Sequence, residues 1–150
     1  MTLIENRKAR FEYDIHTQYQ AGVVLSGAEV KSVRLKSGSL NGSFVKIVGA
    51  EVQLLNAQIS PYKFANNQDY DPKRTRTLLL NKKEIVELLA VQNQKGSALV
   101  PLAFELVGKM IKLKIGVGRG KKQYEKRAAI KQRDVERDIR AELKDKVRLR

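Results

Sequence analysis

Arg119, Lys121, Lys122, Lys126 and Arg127 crowd around Tyr124 in the stretch Gly118-Arg119-Gly120-Lys121-Lys122-Gln123-Tyr124-Glu125-Lys126-Arg127. Cations can pair with phosphates, and a tyrosine ring can take a stacked base, so these residue types at this spacing suit the holding of RNA. The same composition also suits the solvated start of a helix. Two glycines at the junction tolerate backbone angles that other residues avoid, which allows a hinge there.

A second set of chemistry-bearing residues lies upstream. Asn6-Arg7-Lys8-Ala9-Arg10 is a short basic entry, followed by Tyr13. Arg74 and Arg76 bracket Thr75 before Leu78-Leu79-Leu80. At i and i+2 on a strand their side chains point the same way, either to clamp phosphates or to solvate an edge strand. Catalytic chemistry has little material to work with. The chain has no cysteine and one histidine, His16. Nucleophilic triads and metal sites of the Cys/His kind are therefore not expected. Asp69 and Asp71 sit in a loop with nothing marking a paired acid and base. Gly116 to Lys122 superficially resembles a phosphate loop but lacks its spacing and its metal-binding hydroxyl. The expectation is a protein that is not an enzyme and needs no cofactor.

The bulk numbers agree with a polyanionic partner. The chain has 150 residues, 30 Lys+Arg against 16 Asp+Glu, and a net charge of +14. Nucleic acid is the leading partner for a domain that basic, and an anionic membrane surface the second. Hydrophobic residues make up 42%, enough for a core. No apolar run is long enough to span a bilayer, and the N-terminus lacks the apolar run of a secretory signal, so a cytoplasmic protein is expected. Residues 119–150 carry 13 basic and 6 acidic residues, the same net +7 as the 118 residues before them, at far higher density.

The elements that must position these residues are mostly strands. Phe11, Tyr13 and Ile15 alternate with polar residues, which predicts a half-buried strand with Tyr13 packed inward. Ala21 to Leu25 predicts another. Ser26-Gly27-Ala28-Glu29 matches a capping box, with a helix from Gly27 to about Lys36 and Gly38 just past its end. Val30, Val33 and Leu35 would face the core, and capping accounts for Glu29 in full. Phe44–Val48 and Glu51–Ile59 flank Gly49-Ala50 as a hairpin. Residues 62–73 read as a polar loop. Asn81 to Glu84 repeats the capping logic for a second helix. Residues 98–107 form a strand despite Pro101, which implies an edge or a bulge. Ile111, Leu113, Ile115 and Val117 mark a last strand with a basic outer face. The expected fold is mainly β with short helices: a small antiparallel barrel of the oligonucleotide-binding type over residues 1–118, with a basic tail over 119–150. The tail's apolar residues Val135, Ile139, Leu143 and Val147 form too thin a stripe for burial against the body. From about residue 121 onward the chain is expected to be disordered or loosely helical when free and helical on a charged partner.

Several of these stretches resemble one family closely: small protein B, the SsrA-binding proteins that work with transfer-messenger RNA (tmRNA) in bacteria. The resemblance is carried by Asn6-Arg7-Lys8-Ala9 with Tyr13, and by Gly27 with Glu29-Val30-Lys31-Ser32-Val33-Arg34. It continues through Pro72, Arg74, Arg76 and Leu78-Leu79-Leu80, then Val100-Pro101-Leu102. It ends on Ile115-Gly116-Val117, Arg119-Gly120-Lys121-Lys122 and Tyr124-Glu125-Lys126-Arg127. It implies a body that binds the transfer-RNA-like part of tmRNA. Asn6, Arg7, Lys8, Tyr13, Glu29, Lys31, Ser32, Arg34, Arg74 and Arg76 are its candidate RNA contacts, with Glu29 able to accept from a base or a 2′-OH as well as cap its helix. It also implies a tail that becomes helical in the empty message channel of the small subunit of a stalled ribosome. Arg119, Lys121, Lys122, Tyr124, Lys126 and Arg127 are the candidates for that rRNA contact. The implied partners are tmRNA, the stalled ribosome and, through alanyl-tmRNA, the elongation factor for aminoacyl-tRNA. The implied state is a monomer in a 1:1 complex with RNA. The implied outcome is ribosome rescue and tagging of the unfinished peptide for degradation.

The sequence departs from the family at Thr77, where a lysine is usual, at Ser97-Ala98, and at Tyr124-Glu125, where some members have His-Asp. Two other functions fit the residues alone. A general single-stranded nucleic-acid-binding barrel would spread stacking aromatics over a strand face, whereas this chain has 9 Phe and Tyr and no Trp. A structural ribosomal protein with a basic extension would be present on every ribosome, whereas a rescue factor would be enriched on stalled ones.

Overall fold

Apolar alternation drives more of the described chain into strands than into helices, and two capping boxes fix where its longer helices begin. The computed structural model describes residues 1–121 together with Arg133, Arg137, Ile139 and Arg140. In chain order the elements are β1 (Thr2–Glu5), α1 (Arg7–Glu12), β2 (Tyr13–Val23), α2 (Gly27–Arg34), β3 (Gly38–Ser39) and β4 (Phe44–Val48). They continue with β5 (Glu51–Leu55), β6 (Gln58–Ile59), β7 (Arg76–Leu79), α3 (Lys82–Gln92), β8 (Ser97–Val107) and β9 (Met110–Gly120). The expected mainly β, antiparallel architecture with short helices is the one observed. Seven strands form one sheet in the order β1-β8-β9-β2-β7-β5-β4, and β3 pairs with β6 in a small ribbon. Every pairing among the described residues is antiparallel. Residues Met1–Gly120 form one compact unit.

The sheet curls around a core of Val52, Leu54, Ile59, Leu78, Leu88, Phe104, Leu113 and Ile115 with their neighbours. β4 comes round close to β8. Its open edge is covered by α3 instead of by another strand. The Gln92 amide accepts from Ile47 N–H at 2.7 Å and donates to Ile47 C=O at 3.1 Å. One side chain thus satisfies a backbone pair that a neighbouring strand would otherwise take. β8 is buried on both faces. Leu99 and Phe104 enter the main core, while Val100 and Leu102 pack with Ala9 of α1 and with Tyr13 and Ile15. Pro101 is accommodated by a shift of register between Pro101 and Ala103 inside the sheet, so the bulge and not the edge explains it.

Four local expectations need correction. The strand expected from Glu51 to Ile59 is two, β5 paired with β4 and β6 with β3, with Asn56 at φ +66° between them. Phe11 lies in α1, not in a strand, because Asn6 caps a run of good helix formers that carries the helix to Glu12. The strands expected around Tyr13 and Ala21 are one, since β9 pairs along β2 from Tyr13↔Gly120 to Gly22↔Lys112. Helix α2 stops at Arg34, and Leu35 is 69% exposed instead of core-facing. The residue that ends it is Lys36, at φ +59°. Lys36 N–H donates to Val33 C=O and Ser37 N–H to Ser32 C=O, a Schellman ending with lysine in the place glycine usually takes.

The glycines of β9 serve close packing. A Cβ on Gly118 would lie 2.4 Å from the Asp14 carbonyl oxygen, and one on Gly116 would lie 2.8 Å from Leu102 Cδ1. Backbone cannot move aside as a side-chain tip can. Gly118→Ala is therefore expected to cost about 2–3 kcal/mol by overpacking, read as a lowered urea midpoint at unchanged slope.

Candidate nucleic-acid interface

The sequence-predicted residues fall into two groups of different kinds: buried anchors and exposed cations. Ser26 and Glu29 close the expected capping box at the start of α2. Ser26 Oγ accepts from Glu29 N–H at 3.2 Å, and Glu29 Oε1 accepts from Ser26 N–H at 2.9 Å. The same carboxylate then binds two arginines from the far side of the chain. Arg74 donates to Oε1 through Nη2 and, through Nε, to Oε2. Arg76 donates to Oε2 through Nε at 2.9 Å and Nη2 at 2.7 Å. The Tyr70 hydroxyl lies 3.1 Å from Oε2 and 2.9 Å from the Ile59 carbonyl oxygen, placing it between the two acceptors. Arg76 spends its remaining donors on the carbonyls of Ala57, Arg74 and Pro72.

Glu29 is 1% exposed and Arg76 0%. Two charges so buried persist only when paired and fully hydrogen-bonded, as here. Burial by itself pushes the Glu29 carboxyl up, but Arg74, the Ser26 N–H and Arg76 outweigh it and hold it at about 2, below its ordinary 4.5. Burial pushes the Tyr70 phenol up, and the Glu29 charge adds to that. Arg74 lies before β7, not on it as its spacing with Arg76 suggested, yet both arginines reach Glu29. Arg76 presents no surface to a phosphate and Glu29 none to a base, because their polar atoms are engaged inside the protein. Ser32, 1% exposed on the same helix, is buried with them.

What this anchor holds in place is the outer face of α2, where Lys31 and Arg34 are exposed. Lys31 Nζ stands 5.4 Å from the centroid of the Tyr62 ring. Thr77 donates its hydroxyl to Glu51 at 3.0 Å across β7 and β5.

A second anchor serves α1. Asn6, 3% exposed, accepts from Ala9 N–H at 3.2 Å and so caps the helix. Its Nδ2 donates to the carbonyls of Pro101 at 2.8 Å and Leu40 at 3.2 Å, tying α1 to β8 and to the turn before β4. Arg7 and Lys8 are exposed on α1, with Lys8 3.9 Å from Glu12. Tyr13 is half-buried against Ala9, Val100 and Leu102, so it packs as expected. It also lines a cleft of about 280 Å³ with Lys8, Glu12 and Phe44. Asn6→Asp keeps the capping acceptor but turns an oxygen toward two carbonyls. We expect it to lower stability by about 2–3 kcal/mol in urea unfolding, against less than about 0.5 kcal/mol for Arg7→Ala beside it.

Arg119 is exposed at the end of β9, with Asp14 as its register partner and Tyr13 opposite Gly120. Lys121 is partly exposed. Lys122, Tyr124, Lys126 and Arg127, and the expected ordering of the tail, lie outside the described residues. Tyr70, the hydroxyl partner of the Glu29 cluster, had no local signal in the sequence. It meets Glu29 across 41 residues of chain. Among the described residues no group of three or more His, Asp and Glu is arranged to hold a metal ion, and no helix is long and apolar enough to cross a membrane.

Comparison with known proteins places these features in one family. The sequence model of the family described as SmpB protein matches residues 3–145. The SsrA-binding protein of Chloroflexus aggregans is 47% identical over 145 residues, covering 96% of this chain and 92% of the relative. That of Gloeobacter violaceus is 47% identical, covering 91% and 90%. That of Geotalea uraniireducens is 40% identical, covering 97% of both chains. A solved chain from a study of tmRNA–SmpB at the centre of the bacterial ribosome is 40% identical and superposes with a TM-score of 0.69, over 82% of this chain and 87% of that one. With both anchors, the capping box and the antiparallel sheet in the matched span, the chain belongs to the SmpB protein family.

Proposed function

We propose that this protein is an RNA-binding adaptor of trans-translation that works without catalysis of its own. Its body binds the transfer-RNA-like part of tmRNA and brings it to stalled ribosomes. There the basic tail, residues 119–150, enters the empty message channel, and the unfinished peptide is tagged for degradation. The partners are tmRNA, the ribosome and, through alanyl-tmRNA, the elongation factor for aminoacyl-tRNA. The protein acts as a monomer on one RNA, in the cytoplasm.

The observation that carries this reading is the division of labour around α2. Glu29 and Arg76 form a buried clamp with Arg74 at its edge, and Lys31 and Arg34 are exposed on the helix that it fixes. Cations held in register on a rigid element suit a folded RNA better than cations on a loose loop, because less freedom is lost on binding. In this reading Arg7, Lys8, Lys31 and Arg34 touch RNA directly. Asn6, Glu29, Ser32 and Arg76 act by positioning them, with Arg74, partly exposed, at the border. Tyr13 serves packing and lines the cleft beside Lys8.

The test is a gel-shift titration of the whole protein against tmRNA with ordinary transfer RNA as competitor, at one moderate salt concentration. Salt must be held because a basic protein binds any RNA when it is low. Wild type should resist the competitor, and the Lys31→Glu/Arg34→Glu variant should lose affinity by about tenfold or more. Equal affinity of wild type for both RNAs would refute the adaptor reading.

A further inference from the structure

Phe64 is 79% exposed, more than any other large hydrophobic residue described. It sits in the 62–73 loop, in which the polar composition predicted nothing of the kind. The ring is not alone. Tyr62 meets it edge to face, with centroids 5.6 Å apart and planes at 68°. Lys31 Nζ lies 5.4 Å from the Tyr62 centroid, and Lys63 Nζ 5.7 Å from that of Phe64. The loop that carries them is internally braced. The Tyr62 carbonyl accepts from Ala65 N–H at 3.1 Å and from Asn67 Nδ2 at 2.8 Å. Tyr70 N–H donates to the Asn67 carbonyl at 3.1 Å, and the Tyr70 side chain enters the buried Glu29 cluster. At the other end Ser60 N–H donates to Ser37 C=O at 3.1 Å.

We infer that the Tyr62–Phe64 segment is a stacking site for an unpaired nucleobase of the bound RNA. The inference rests on the adaptor reading for the identity of the RNA, and on the loop for the site. An open aromatic face with flanking ammonium groups matches both parts of a nucleotide, the π surface of the base and the charge of its phosphate. A purely apolar partner would have to strip water from Lys31 and Lys63 with nothing to pair them. The bracing matters because a ring already held outward loses little freedom when a base settles on it. The site shares Lys31 with α2, so the loop widens the proposed RNA surface instead of opening a separate one.

The test uses the absence of tryptophan from the chain. Phe64→Trp introduces one reporter whose emission a stacked base would quench. Titrating whole Phe64→Trp protein with tmRNA should quench it and leave affinity near that of wild type. Phe64→Ala should bind about tenfold more weakly with an unchanged salt slope, because no phosphate contact is lost, and Phe64→Tyr should retain affinity. Lys63→Gln should instead lower the salt slope by about one contact. Both Phe64→Ala and wild type should unfold at the same urea concentration, since the ring is exposed. Unquenched Phe64→Trp emission together with wild-type affinity in Phe64→Ala would overturn the stacking site. Unchanged emission with RNA followed by a blue shift on adding ribosomes would also overturn it and assign the ring to a protein partner. Failure of the adaptor reading would show elsewhere, as wild type that does not prefer tmRNA over transfer RNA. The quench would still decide the stacking site for whichever RNA binds.

Discussion

Glu29→Gln should destabilise the protein by about 3–5 kcal/mol, the usual cost of stranding one partner of a buried ion pair. A typical domain holds about 5–15 kcal/mol in all, so the loss should be plain in urea unfolding. Glutamine can still accept from Ser26 N–H and complete the capping box, so the effect isolates the lost charge from the lost cap. Arg76, 0% exposed, would keep its donors to the carbonyls of Ala57 and Pro72 but lose its counter-charge. Arg76→Met on its own should cost less than Glu29→Gln, because Glu29 would retain Arg74 and the Ser26 N–H. The double variant should be more stable than the sum of the two losses implies, since no buried charge is then left unpaired on the arginine side. The pH dependence has a definite sign. Glu29 ionises at about 2 in the folded protein against an ordinary 4.5, so between those values the unfolded chain binds the extra proton. The stabilisation is complete above about pH 4.5, fades as pH falls toward 2, and amounts to roughly 3 kcal/mol. Wild type should lose this increment on acidification and Glu29→Gln should not. If both lost stability in parallel from pH 5 to 3, the clamp would not be what holds α2. RNA affinity should fall in Glu29→Gln as well, through α2 and not through any contact of residue 29 itself.

The contrast between Glu29 and Arg76 shows what was legible in the sequence. Both capping boxes were, because Ser26 with Glu29 and Asn81 with Glu84 act within one turn of helix. The strand that carries Arg76 was also legible, although Arg74 falls just before it. Their target was not. Glu29 lies 47 residues from Arg76, and nothing local distinguishes an arginine aimed at a phosphate from one aimed at a buried carboxylate. Tyr70 and Phe64 share one loop and were equally opaque, one half-buried with its hydroxyl in the clamp and the other open to solvent. The end of α2 was misplaced for a different reason. The chain uses Lys36 in the left-handed region, where the usual signal is glycine. Gly38, read as the helix stop, instead serves close packing, because a Cβ there would lie 2.5 Å from the Gln58 carbonyl oxygen. Gly116 and Gly118 follow the same rule: their need is set by the strand that crosses them and not by their own turn.

Truncation after Gly120 should abolish peptide tagging on stalled ribosomes while leaving affinity for tmRNA within about threefold at moderate salt. The cut removes 12 basic and 6 acidic residues, net +6, and leaves the compact unit Met1–Gly120 with both anchors and the exposed cations of α1 and α2. The removed charge would attract any polyanion at low salt, so the truncated protein should show a shallower dependence of log affinity on log salt than the whole chain. It should therefore lose affinity for competitor transfer RNA faster than for tmRNA, and its apparent selectivity should rise. That pair of outcomes separates two uses of positive charge in one chain. On the body the proposed contacts Arg7, Lys8, Lys31 and Arg34 stand on helices tied down by buried anchors, which suits recognition of one folded RNA. On the tail the cations are dense, with Val135, Ile139, Leu143 and Val147 spaced four apart, which suits a long phosphate-lined channel where register matters little. Tagging that survives truncation would show that the body alone can commit the ribosome, and would move that role onto Arg119 and the surface around Tyr13. Selectivity that disappears with the tail would show the reverse, that the clamp around Glu29 only holds a scaffold together.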